Sequence, residues 1–146
     1  MAASGRVLGL DLGDVRIGVA ISDEARRVAV PLGTVHVGRP PGELKAIAGL
    51  VAENQVSLVV LGLPLSMDGS RGPRATHAEA FSEGLRAVLG VPVATQDERL
   101  TTVEAERGLR NAGVKGRDRR AVVDAEAARI LLQAWLDTQE RSASSG

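Results

Sequence analysis

The stretch Val7-Leu8-Gly9-Leu10-Asp11-Leu12-Gly13-Asp14-Val15-Arg16-Ile17-Gly18-Val19-Ala20-Ile21-Ser22 constrains the fold of this chain more than any other. Two apolar runs flank a tight Gly-Asp turn, the pattern of a β-hairpin. Side chains alternate along a strand, so Val7, Gly9 and Asp11 share one face and Leu8, Leu10 and Leu12 the other. Asp11 therefore interrupts an apolar strand, and a carboxylate there is costly to bury unless it is paired or bound to a metal. Gly13, two residues on, is a point where bare backbone could approach a phosphate. A turn aspartate bonded to its own backbone explains Asp11 equally well from this stretch alone. Acidic positions further along tip the balance towards a site.

The remaining chain alternates strands and helices. Residues 28–37 read as a third strand, and Pro31 within it implies an edge or a bulge. Leu44, Ile47, Ala48 and Val51 recur at helical spacing, giving an amphipathic helix that ends near Asn54. Residues 57–63 are a short, continuous apolar run, as expected of a parallel strand buried on both faces. The long polar loop 64–73 follows it, the position at which open α/β sheets bind ligands. A helix over 74–89 carries Ala78, Phe81, Leu85 and Val88 on one face, and Gly90 ends it. Residues 91–96 form a short fifth strand that runs into Asp97-Glu98-Arg99. Thr101-Thr102-Val103-Glu104 has the form of a capping box and opens a helix that closes at 111–113. A basic, glycine-containing loop, 113–120, leads to a last helix that starts at Asp118 or a neighbour. Val122, Val123, Ala127, Ile130, Leu131, Ala134 and Trp135 dominate that helix. One domain over 1–140 and a Ser-rich, disordered tail over 141–146 are expected.

Composition excludes several classes of function. At 146 residues the chain suits one domain with a real core. Its 18 basic and 18 acidic residues balance, so any polyanion must be held by a local patch rather than a global field. Aromatics are 1% of the chain, which argues against a base-stacking platform. There is no cysteine, so disulfides and thiolate zinc sites are excluded. Residues 1–6 carry no apolar signal region and no run is long enough to span a bilayer, so a cytoplasmic location without membrane attachment is expected. His36 and His77 have no triad-like or metal-like spacing and read as surface or packing residues.

Strands one, four and five are expected to end near one another in the sheet centre. Asp11 lies at the end of the first and Asp97-Glu98 at the end of the fifth. Alternation turns those two to opposite faces, so one of them joins Asp11. Asp124 sits early in the last helix, between Val123 and Ala125. A first-turn aspartate favoured by the helix dipole is its plain alternative, and a solvated turn paired with Arg99 is that of Asp97-Glu98. Three converging carboxylates make a hard, oxygen-only site suited to Mg²⁺ or Mn²⁺. Such a cluster can hold two ions roughly 3.5–4 Å apart, the arrangement that clamps both oxygens of a phosphodiester displacement. Mutual repulsion of the acids predicts that Asp124→Asn leaves the metal-free protein as stable or more stable.

These residues carry a resemblance. Asp11-Leu12-Gly13-Asp14-Val15-Arg16-Ile17-Gly18-Val19-Ala20 resembles the opening motif of the YqgF-type family of Holliday-junction-resolvase-like and pre-16S rRNA nuclease proteins. Val60-Leu61-Gly62-Leu63-Pro64 with Asp68-Gly69 resembles its fourth-strand signature. Asp97-Glu98-Arg99-Leu100-Thr101-Thr102 resembles its most distinctive motif. Asp124-Ala125-Glu126-Ala127-Ala128-Arg129-Ile130-Leu131-Leu132-Gln133 with Trp135-Leu136 resembles its last helix. The likeness runs over roughly residues 6 to 137, with four motifs in the family's order. Asp14 departs from the small or basic residue usual in that turn. The resemblance implies an RNase H-like α/β fold and an acidic triad that falls on Asp11, Glu98 and Asp124, as catalytic residues and metal ligands. The expected architecture is a five-stranded mixed sheet, order 3-2-1-4-5, with helices on both faces.

A basic run holds Arg107, Arg110, Lys115, Arg117, Arg119 and Arg120 and leads directly to Asp124. A solvated helix end and loop would look the same, but a phosphate backbone drawn to this run would be delivered to the acids. The expected nucleic-acid-binding residues are Lys115, Arg117, Arg119 and Arg120, with Arg71 and Arg74 on the other flank and Arg16 near the turn. The loop 113–120 is expected to be mobile without substrate. The leading reading is a metal-dependent endonuclease acting on structured nucleic acid, in 5′-end processing of pre-16S rRNA during ribosome biogenesis. Resolution of Holliday junctions and non-catalytic RNA or transcription-associated binding are the alternatives. An actin-like sugar-kinase fragment is a distant third, because such proteins need two domains of this kind. A monomer or weak homodimer is expected.

Overall fold

A computed structural model describes residues 4–38, 42–64, 68–70, 72–98 and 117–145; side chains at 117–121 and 143–145 lie outside the description. The elements in order are β1 (Arg6–Leu12), β2 (Arg16–Ser22), β3 (Ala29–His36), α1 (Glu43–Glu53), β4 (Val56–Leu63), α2 (Pro73–Val88), β5 (Val93–Asp97) and α3 (Arg117–Ser145). The strands form one sheet in the order β3-β2-β1-β4-β5. β1 pairs antiparallel with β2 and β2 with β3, while β4 runs parallel to β1 and β5 parallel to β4. The expected topology is therefore the observed one, with β1 at the centre. The capping-box helix over 101–113 and the loop residues 113–116 lie outside the described residues.

Alternation along β1 splits the core into two layers. Leu8 and Leu10, with Ile17, Val19, Val59 and Leu61, pack on the side of α1 and α2. Val7, Ala20 and Val60 pack against Ala128, Leu132, Trp135 and Leu136 of α3 on the opposite side. The second layer is lined by smaller residues, so a single long helix lies close against the sheet. Gln133 fixes it in place, accepting from the Ala29 amide at 2.9 Å and donating to the Arg27 carbonyl at 2.8 Å.

Pro31 sits where its missing amide costs no ladder bond. β3 is an edge strand, and the register slips between Val19–Gly33 and Ala20–Pro31, leaving Leu32 as the extra residue of a bulge. Three expectations are corrected. Val88 is 54% exposed near the end of its helix, so it does not share the burial of Ala78 and Leu85, with which spacing groups it, and Val122 is 66% exposed although it is among the apolar residues of the last helix. α3 begins at Arg117, next to Asp118 as expected, so residues 117–120 belong to the helix and not to the basic loop assigned up to 120. Its last turns run through Ser145, across the segment in which composition predicts a disordered tail, because a helix satisfies its own backbone bonds beyond the last packed residue.

Candidate active site

Asp11 is buried, 3% exposed, near the end of the central strand. On its face of the sheet, three glycines make room for α3 and for Glu98. Gly9 precedes Asp11 by two residues on the same face, and a methyl built there would lie 2.7 Å from Leu132 Cβ. Gly18 is its partner across β2, and a methyl there would collide with the backbone carbonyl of Asp124. Gly62 follows Leu61, the partner of Leu10 in β4, and a methyl there would lie 2.5 Å from Glu98 Oε1 and 2.9 Å from Leu131. The three bare positions form a shallow floor facing α3. Glu98 enters over Gly62 from the end of β5, and the backbone of Asp124 rests on Gly18.

Glu98 is 9% exposed. It shares its parity with Ala94 and Gln96, which lie on the α3 side, whereas Asp97 pairs with Leu63 on the α1–α2 side. Strand alternation therefore places Glu98, not Asp97, on the face of Asp11. Asp124 lies in α3 with its carboxylate turned to Arg16, whose Nε donates to Oδ2 at 2.9 Å. Among the described residues no group of three or more His, Asp or Glu side chains forms a ready metal cluster. The fold thus brings two buried carboxylates and the backbone of the third acid around one floor, while the third carboxylate is held aside by an arginine. This geometry changes the expectation for Asp124→Asn, because neutralising Asp124 also breaks an ion pair.

The chemistry of the donor set fits a hard divalent cation. It consists of carboxylate oxygens, two of them buried, over a floor where added methyls would intrude on the acids.

Of the expected nucleic-acid contacts, Arg16 flanks the acids and Arg74 is exposed in the first turn of α2. Arg71 and Lys115 lie outside the described residues, as do the side chains of Arg117, Arg119 and Arg120. The Gly13 amide donates to the Arg16 carbonyl at 2.9 Å and closes the hairpin, so that amide is spent on the turn and not offered to a phosphate. His36 and His77 are exposed. Sequence reasoning singled out the acids but not Gly18 and Gly62, which let the Asp124 backbone and the Glu98 carboxylate approach the sheet. The signal was present as glycine inside otherwise apolar strands, the mark of close approach by another backbone or side chain.

Residues 5–138 match the family described as RuvX: Holliday junction resolvase. A protein of Anaeromyxobacter dehalogenans named "Putative pre-16S rRNA nuclease" is 51% identical over 132 residues, covering 90% of this chain and 96% of its own length. One of the same name from Chloroflexus aggregans is 50% identical over 133 residues, covering 91% and 94%. The structure of T. thermophilus RuvC in complex with Holliday junction substrate superposes with a TM-score of 0.52 at 14% identity, covering 94% of this chain and 97% of that one. That likeness shows a shared RNase H-like fold, in agreement with the strand order. From the match over 5–138 and relatives at half identity across nearly their whole length, the chain belongs to the RuvX family.

Proposed function

We propose that this chain is a metal-dependent endonuclease, a hydrolase that cuts phosphodiester bonds in structured nucleic acid. Its substrate is the 5′ region of pre-16S rRNA, processed in the bacterial cytoplasm during ribosome biogenesis. The observation that carries this reading is the pair of buried carboxylates, Asp11 and Glu98, on one glycine floor, with Asp124 seated on the same floor through its backbone. Two buried carboxylates on one face offer hard oxygen donors of the kind that divalent cations take. Asp11, Glu98 and Asp124 would hold Mg²⁺ or Mn²⁺, two ions in the full site. When bound there, the ions would supply positive charge that favours phosphodiester hydrolysis. The protein's own part is to fix the carboxylates and to hold the substrate backbone. Arg16 and Arg74, with Arg71, Lys115, Arg117, Arg119 and Arg120, supply the phosphate contacts. The names of the relatives favour RNA as substrate, while the family description favours a four-way DNA junction, which is the second reading.

The test is a cleavage assay on 5′-extended pre-16S rRNA beside four-way junctions, with Mg²⁺, Mn²⁺ or a chelator. Cleavage of the precursor that is lost in Asp11→Asn and Glu98→Gln is the expected result. Cutting of junctions alone transfers the activity to DNA. Tight binding of either substrate with no metal-dependent cleavage would replace the enzyme with a binding protein.

A further inference from the structure

Arg16 stands in an unusual place for a residue that only recruits substrate. It opens β2, two residues before Gly18 on the same face, and Gly18 carries the backbone of Asp124. Its Nε donates to Asp124 Oδ2 at 2.9 Å, with the two side chains 19% and 22% exposed. Among the described residues, neither terminal nitrogen of the guanidinium makes a hydrogen bond, so Nε alone carries the pair. Asp124 and Arg16 are separated by 108 positions in sequence, so the contact is made by the docking of α3 on the hairpin and not by local chain geometry.

We infer that Arg16 is a positioning residue that acts as a stand-in cation for Asp124. It holds the third carboxylate aside in the metal-free protein and must release it when a divalent ion binds beside Asp11 and Glu98. A floor that already carries two carboxylates repels a third in the absence of a cation, and the pair with Arg16 gives Asp124 a counter-charge away from them. With it, the three acids need not come together until a cation is present. The single bond through Nε suits release, since a forked, bidentate pair would be harder to break. On release, the whole guanidinium becomes available to a phosphate oxygen at the rim of the site. Metal loading and substrate contact are thereby coupled through one side chain. The inference rests on the metal reading above, but it concerns the affinity for the ion and not the reaction.

The experiment titrates Mn²⁺ alone, without nucleic acid, into wild type, Arg16→Gln, Arg16→Lys and Asp124→Asn by calorimetry. Thermal melts of each with and without the ion accompany the titration. Arg16→Gln is expected to bind Mn²⁺ about two- to five-fold more tightly, the range by which a part-exposed ion pair biases an equilibrium. Its metal-free melting temperature should fall while its ion-induced rise grows. Arg16→Lys, which keeps a charge near Asp124, should lie close to wild type and keeps the test open if the glutamine variant folds poorly. In an Asp124→Asn background, Arg16→Gln should no longer tighten binding. Wild-type binding with an unchanged or weakened affinity in Arg16→Gln overturns the stand-in role and leaves the metal site intact. No Mn²⁺ binding by any of the proteins overturns the metal reading and this inference together.

Discussion

A methyl group at Gly18 would meet the Asp124 carbonyl, and one at Gly62 would meet the Glu98 carboxylate. These contacts separate two kinds of failure. Gly18→Ala is expected to push α3 off the sheet and destabilise the protein by about 1–3 kcal/mol, the usual cost of overpacking; a denaturant melt followed by the single tryptophan, Trp135, reads this directly, since it is buried between α3 and the sheet. Gly62→Ala touches the tip of Glu98 as well as Leu131, so it should lower cleavage by a larger factor than its loss of stability explains. Asp124→Asn is expected to remove cleavage and, because it also breaks the pair with Arg16, to cost the metal-free protein up to about 1 kcal/mol, as a part-exposed ion pair does. A gain in metal-free stability would instead mean that repulsion between the acids outweighs the pair with Arg16. Asp97→Asn, on the other face, should keep most activity, and its loss of cleavage would place Asp97 in the site after all.

The elements decide whether the acids meet at all. α3 runs across the sheet and is pinned at the start of β3 by Gln133, which bonds the backbone on both sides of Val28. Asp124 lies nine positions earlier on the same helix, so a shift at Gln133 moves the acid. Gln133→Ala is expected to cost about 1–2 kcal/mol for two lost hydrogen bonds and to loosen the Arg16–Asp124 pair, seen as faster amide exchange in the first described turns of α3. The β2–β3 turn that presents Arg27 has its own lock. Asp23 accepts from the Val28 amide at 3.0 Å and the Arg27 amide at 2.9 Å. These bonds, that of Val28 foremost, hold its carboxyl below the ordinary value of 3.8. A carboxylate depressed in the folded state stabilises above its unfolded value, and that contribution is lost as pH falls through the folded one. Asp23→Ala should therefore melt lower than wild type near neutrality, and the gap should close below about pH 4; a gap that persists in acid would deny Asp23 this role.

For the whole molecule, balanced charge means that attraction to nucleic acid must come from a local patch. Changing Lys115, Arg117, Arg119 and Arg120 to neutral residues is expected to weaken binding and flatten its salt dependence while leaving the melting temperature near wild type; an unchanged salt slope would place the patch elsewhere. Among the described residues no helix is long and apolar enough to cross a membrane. The sequence by itself marked the five strands, and the order of elements with the family motifs implied their arrangement in the sheet, while alternation along β1 sorted its residues onto two faces. It also marked Asp11 and narrowed Asp97-Glu98 to a single partner for it by alternation. Local pattern could not place Val88 or Val122, because exposure at a helix end depends on where the neighbouring layer stops. Nor could it pair Arg16 with Asp124. Only the tertiary structure decided that contact, since it arises when α3 settles on glycines that are silent in any hydropathy pattern, and a backbone laid on Gly18 brings together residues more than a hundred positions apart.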